Sequence, residues 1–143
     1  NAGHNPPYLQ RADGAVEQLP GLGDPAAAVL EDIPYGEESV RLHPGDALFL
    51  YTDGVTEAFD VEGAAFREER LVEVLRAEGP SASAKAIDEA VLAAVKRFER
   101  GADQADDITC LALRWHGAVG AAGASAGGRD AAVAEGDRRL ATG

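Results

Sequence analysis

The stretch that most restricts the fold is ALFLYT at residues 47 to 52, the most apolar strand-like run in the chain. It continues into Asp53, Gly54 and Glu57 within LFLYTDGVTEAF. Such a run is driven toward an interior, yet it ends on a carboxylate. Two explanations compete at this level. Asp-Gly is among the commonest turn dipeptides; alternatively, Asp53 is a metal or catalytic carboxylate held at the end of a rigid strand.

The elements around that strand are legible in outline. Tyr8 to Arg11 and Ala15 to Leu19 flank Asp13 and Gly14, a hairpin signal. Ser39 to Leu42 reads as a strand, and HPGD at His43 to Asp46 turns the chain into the apolar run. Phe66, Leu71, Val74 and Leu75 mark the apolar stripe of one helix. Ile87, Val91, Leu92, Val95 and Phe98 mark that of a longer one, with Ser81 or Ser83 as its N-cap. ADQADD is a polar loop into a last strand, Ile108 to Trp115. Strands in a run, then helices, then a returning strand predict an α+β fold with helices packed on antiparallel sheet.

From Gly117 to Gly143 the chain is mostly alanine and glycine. Ordering it costs ~1 to 2 kcal/mol per residue with no core in return, so residues 117–143 are expected to be a disordered tail. The tail's three arginines balance its three acidic residues, so the net charge of −12 sits on residues 1–116. That charge excludes nucleic acid or an anionic membrane as the main partner and favours a cation. No apolar stretch approaches the ~20 residues of a spanning helix, and a cytoplasmic protein is expected. Cys110, the single cysteine, is expected to be a small buried apolar residue of its strand. Because the chain opens on NAGHNPPYLQ without an initiator methionine, it is expected to be a piece of something longer.

Asp53 and the pair Asp106 and Asp107 fall at strand ends. Two carboxylates ~4 Å apart repel by ~4 kcal/mol at an effective dielectric near 20, so bringing them together needs a cation between them. Hard divalent ions such as Mg²⁺ and Mn²⁺ suit an all-oxygen site. The competing reading makes these acids ordinary exposed loop residues. Gly54 permits a close backbone approach or a sharp turn. Glu57 reads equally as a favourable charge in the first turn of a short helix.

NAGHNPP at the start, LHPGDALFLYTDGVTEA in the middle, FREERL opening a helix and DQADDIT before the last strand occur in this order and spacing. Over residues 1 to about 116 they resemble the C-terminal half of a SpoIIE/RsbU-type serine phosphatase. That group belongs to the metal-dependent PPM, or protein phosphatase 2C-like, superfamily. The resemblance implies an αββα sandwich whose N-terminal part is missing from this chain. It matches Asp53 to the TDG aspartate and Asp106 to the late aspartate of a two-metal centre. It makes Asn1, Gly3, His4 and Asn5 a loop shaping the cleft beside them. Two departures stand out: GLGDPAAAV at Gly21 to Val29 replaces a Pro-Leu-Gly element, and Arg67 stands where relatives have glycine, a change expected to be tolerated.

The implied activity is hydrolysis of phosphoserine or phosphothreonine on a protein, by water activated between two Mn²⁺ or Mg²⁺ ions, without a protein nucleophile. The implied substrate is a phosphorylated regulatory protein, such as an anti-sigma-factor antagonist in bacterial partner switching, with a sensor or regulatory domain upstream. A haloacid-dehalogenase reading of YTDGVTE fails because its nucleophilic aspartate would fall at Tyr51. A different class remains: a truncated or degenerate phosphatase half that only binds protein. With the central metal-bridging aspartate of the family absent, the chain alone is expected to be inactive.

Overall fold

The computed structural model describes residues 1–30 and 34–117. The expected tail therefore lies, but for Gly117, outside the described residues. Two short strands open the fold, β1 (Tyr8–Gln10) and β2 (Val16–Gln18), joined through the Asp13-Gly14 turn. The Asp13 carboxylate accepts from the Ala15 N–H at 2.9 Å, and Gly14 takes φ +92°, a left-handed value that glycine adopts freely. Next come β3 (Ala47–Tyr51), the helices α1 (Arg67–Glu78) and α2 (Ala84–Glu99), and β4 (Cys110–Arg114).

The four strands make one antiparallel sheet in the order β2-β1-β3-β4. Its register sets Tyr8 opposite Phe49, and Phe49 opposite Ala112. Because side chains alternate along a strand, Tyr8, Ala47, Phe49, Tyr51, Cys110 and Ala112 share one face. Both helices cover that face, and Leu71, Leu75, Ile87, Val91 and Val95 complete a buried core against it. The architecture is α+β, as the element order predicts, with one helical layer on one sheet among the described residues.

Ser83 is the helix start that the structure selects, its Oγ accepting from the Ala86 N–H at 3.1 Å. The strand expected at Ser39 to Leu42 does not form. A strand needs a neighbour to exchange backbone hydrogen bonds with. Here the Arg41 carbonyl is taken instead by the Arg11 guanidinium, at 3.1 Å. Nor does Glu57 open a helix: residues 53 to 57 form consecutive turns, tied by the Glu57 N–H on the Asp53 carbonyl at 2.8 Å.

The corner opposite the Asp53 end is locked by Asp46, which is almost fully buried. It accepts from the Ala12 and His43 N–H groups, each at 2.9 Å, and pairs with Arg11 at 3.1 Å. HPGD is thus more than a turn.

Candidate functional site

Antiparallel order puts the start of β1, the end of β3 and the start of β4 at one end of the sheet. Residues 1–5, Asp53 with Gly54, and Asp106 with Asp107 are carried to that end by these three strands. The last two segments touch. A Cβ placed on Gly54 would stand 2.5 Å from the Asp107 carbonyl oxygen and 3.3 Å from that of Asp106. Only a glycine fits there.

Thr52 joins the same two segments. Its N–H donates to the Thr109 carbonyl at 3.0 Å, and its hydroxyl donates to the Asp107 carbonyl at 2.8 Å. The Thr109 N–H donates in turn to the Thr52 hydroxyl, at 2.9 Å. Thr52 was not among the candidates drawn from the sequence, where a threonine at a strand end reads only as a β-branched residue.

The carboxylates of Asp53 and Asp106 are exposed, and neither is in an ion pair among the described residues. Each accepts the N–H of its own successor: Asp53 from Gly54 at 3.1 Å, Asp106 from Asp107 at 2.7 Å. Most of their lone pairs stay free, and this all-oxygen donor set fits a hard divalent cation. Among the described residues no group of three or more His, Cys, Asp or Glu converges on one point. Among the described residues Asp53 and Asp106 are thus two candidate carboxylates where a complete cation site needs more oxygens. Asp107 and Glu57 are also exposed, and the Asp107 carbonyl is committed to Thr52.

The loop of residues 1–5 is internally braced. Asn1 donates to the His4 carbonyl at 2.9 Å and accepts its N–H at 2.8 Å, while His4 Nδ1 donates to the Asn5 carbonyl at 3.0 Å. Gly3, at φ +78°, lies so close to Ala26 that a Cβ would meet its nitrogen at 2.6 Å. With Gly21, Leu22 and Asp24, the loop residues Asn1, Gly3 and His4 line a groove, and Asn5 does not. Its recorded hydrogen bonds do not reach Asp53 or Asp106, so among the described residues the loop shapes a neighbouring groove at the same sheet end.

Two other groups are inert. Tyr51 is buried and stacked on Tyr8 with ring centroids 5.9 Å apart; burial, then Tyr8 and Glu68, push its hydroxyl up to about 12. It cannot stand in for a nucleophilic aspartate. Burial, reinforced by Asp88, pushes the half-buried Cys110 thiol up to about 11, which keeps it protonated near neutrality.

An α+β sheet with two helices on one face and acidic loops at one end is the class of fold found in PP2C-type phosphatase domains. It superposes on the SiaA-PP2C domain of Pseudomonas aeruginosa with a TM-score of 0.59 and 25% identity, over 80% of this chain and 44% of the other. The RsbU and RsbW domains of Rv1364c from Mycobacterium tuberculosis give a TM-score of 0.59 and 27% identity, over 81% and 31%. Protein IcfG of Synechocystis is 33% identical over 113 residues, which are 79% of this chain and 17% of that protein. The family model of stage II sporulation protein E (SpoIIE) matches residues 1–116. The chain belongs to the SpoIIE family and forms part of a PP2C-type phosphatase domain. It spans less than half the length of each of these relatives.

No helix among the described residues is long and apolar enough to cross a membrane.

Proposed function

We propose that the protein containing this chain is a metal-dependent phosphatase for phosphoserine or phosphothreonine on a regulatory protein. The observation that carries the reading is the packing of Gly54 against Asp106 and Asp107, which sets the two acidic strand ends side by side. Asp53 and Asp106 would hold Mn²⁺ or Mg²⁺, with further oxygens coming from outside this chain. When bound, two such ions supply an activated water and neutralise charge developing on the phosphoryl oxygens. This chain's own part is to hold the two carboxylates rigidly at the strand ends. The groove lined by Asn1, Gly3 and His4, with the Asn5 carbonyl bracing the His4 ring, would receive the polypeptide on either side of the phosphorylated residue. An anti-sigma-factor antagonist in a bacterial cytoplasmic pathway is the substrate class that fits the family, with a regulatory domain upstream.

One observation favours a second reading for the chain by itself. Among the described residues no third His, Cys, Asp or Glu converges with Asp53 and Asp106, which favours a chain that by itself binds protein without catalysis. Both readings meet one assay, hydrolysis of a phosphoserine peptide in millimolar Mn²⁺. The 143-residue chain should be inactive, and the same chain extended upstream by roughly one half-domain should be active and lose most of that activity on Asp53→Asn. An inactive extended protein, or an active Asp53→Asn variant, would sink the phosphatase proposal.

A further inference from the structure

We infer that Thr52 is the positioning residue of the acidic site, its hydroxyl fixing the placement of Asp53 relative to Asp106. The inference rests on the reading of those aspartates as metal ligands.

In a regular antiparallel pair that exchanges both hydrogen bonds, the Thr109 N–H would donate to the Thr52 carbonyl. Here it donates to the Thr52 hydroxyl at 2.9 Å, although the reciprocal bond, Thr52 N–H to the Thr109 carbonyl, is kept at 3.0 Å. The substitution frees the Thr52 carbonyl, which accepts the Val55 N–H at 3.0 Å and closes the turn that bears Asp53. The same hydroxyl spends its proton on the Asp107 carbonyl at 2.8 Å, one residue from Asp106. One side chain thus ends the β3-β4 ladder, opens the Asp53 turn and ties down the Asp106 loop.

Without the hydroxyl, the Asp107 carbonyl loses its donor and the Thr109 N–H its acceptor, so the tie between the Asp106 loop and the Asp53 turn is reduced to the Thr52 N–H bond. Asp53 would then shift against Asp106. Ligand placement has to hold within about 0.5 Å for a site to work, so metal binding should suffer more than folding does.

The test is an NMR titration, with Mn²⁺ alone, of the chain extended upstream by roughly one half-domain, reading paramagnetic broadening at the Asp53, Gly54, Asp106 and Asp107 amides, with thermal midpoints measured alongside. Wild type and Thr52→Ser, which keeps the hydroxyl, should broaden at both segments over one concentration range. Thr52→Val should need at least ~10-fold more Mn²⁺ while still folded at the titration temperature, a loss typical of outer-shell partners. Asp53→Asn should abolish the shared response. If Thr52→Val melts lower but responds like wild type, Thr52 is only structural and the inference falls with the metal reading intact. If Asp53→Asn responds like wild type, or wild type does not respond at all, the metal reading falls and takes the inference with it. Should Thr52→Val not fold, Thr52→Ala replaces it, and a Thr52→Ser variant that loses the response overturns the proposal in either case.

Discussion

Gly54 lies against Asp107 so tightly that a single methyl group added to Gly54 would stand 2.5 Å from the Asp107 carbonyl oxygen. Gly54 does not have a positive φ, so space and not backbone conformation demands glycine here. The clash is with main chain, which cannot rotate aside. Gly54→Ala should therefore cost about 1 to 3 kcal/mol, the usual range for overpacking a tight contact. Urea unfolding checks this, and an unchanged midpoint would mean that the two loops are further apart than described.

Arg67 makes the opposite case. It opens α1 at φ +65°, in the left-handed region, while its N–H donates to the Thr56 carbonyl at 2.8 Å. A side chain there costs about 1 to 2 kcal/mol, against the extra chain entropy of about 0.5 to 1 kcal/mol that glycine loses on folding. Arg67→Gly should thus stabilise the chain by up to about 1.5 kcal/mol, since the hydrogen bond to Thr56 survives. A lower melting temperature for Arg67→Gly would contradict the strain.

Much of this was legible in the sequence because local signals and tertiary demands agree. The Asp13-Gly14 turn, the Ser83 cap and most of the helix stripes are short-range features that the fold had no reason to override, whereas Leu92, expected in the second stripe, is exposed and Ala94 is buried in that helix instead. The missing strand at Ser39 to Leu42 and the Thr52 hydroxyl are of another kind. Both depend on which partner lies alongside, and a single chain read in order does not show its neighbours. Asp46 was likewise read as the end of a turn, because its bond to Ala12 crosses 34 residues. At the acidic site the residue types were readable, but the side-by-side placement of Gly54 and Asp107 was not.

Asp46 yields a pH dependence. Burial raises its carboxyl, but the His43 and Ala12 N–H groups and the Arg11 guanidinium outweigh that and hold it below the usual aspartate value. A depressed folded value contributes stability above the unfolded value near 3.8, and that contribution disappears as pH falls through the lower, folded one. Wild type should hold this contribution from neutrality to about pH 5 and shed it below about pH 4. Asp46→Asn should be less stable at neutral pH and lose less on acidification. Thermal melts of both from pH 7 to pH 3 decide it; parallel curves would remove Asp46 as a cause.

Asp106 and Asp107 are adjacent and both exposed, so exposure does not choose between them. Main-chain bonds do not separate them, since Thr52 holds the Asp107 carbonyl at 2.8 Å and Gln104 the Asp106 carbonyl at 2.7 Å; on the proposed reading Asp106 is the ligand. In a protein carrying the complete domain, Asp106→Asn should lower Mn²⁺-dependent phosphatase activity by at least ~10-fold more than Asp107→Asn, a margin that separates loss of a ligand from loss of a neighbour. The reverse ranking would shift the site by one residue.

The face of the sheet away from the helices carries the last expectation. Register places Leu48 between Leu9 and Leu113 and Leu50 opposite Leu111, so five leucines share that side. Leu111 is 56% and Leu113 45% exposed, and both lie on β4, an edge strand of the sheet. An apolar face beside an open edge invites pairing with another copy. Alone in solution, the 143-residue chain should self-associate as its concentration rises. Replacing Leu111 and Leu113 together by lysine should shift it toward monomer, because the charges oppose edge pairing and the burial lost is on the open face, away from the helix-covered core. Sedimentation velocity at several concentrations provides the measurement. A wild-type chain that stays monomeric at high concentration, or a double variant that associates just as strongly, would show that this face does not drive assembly.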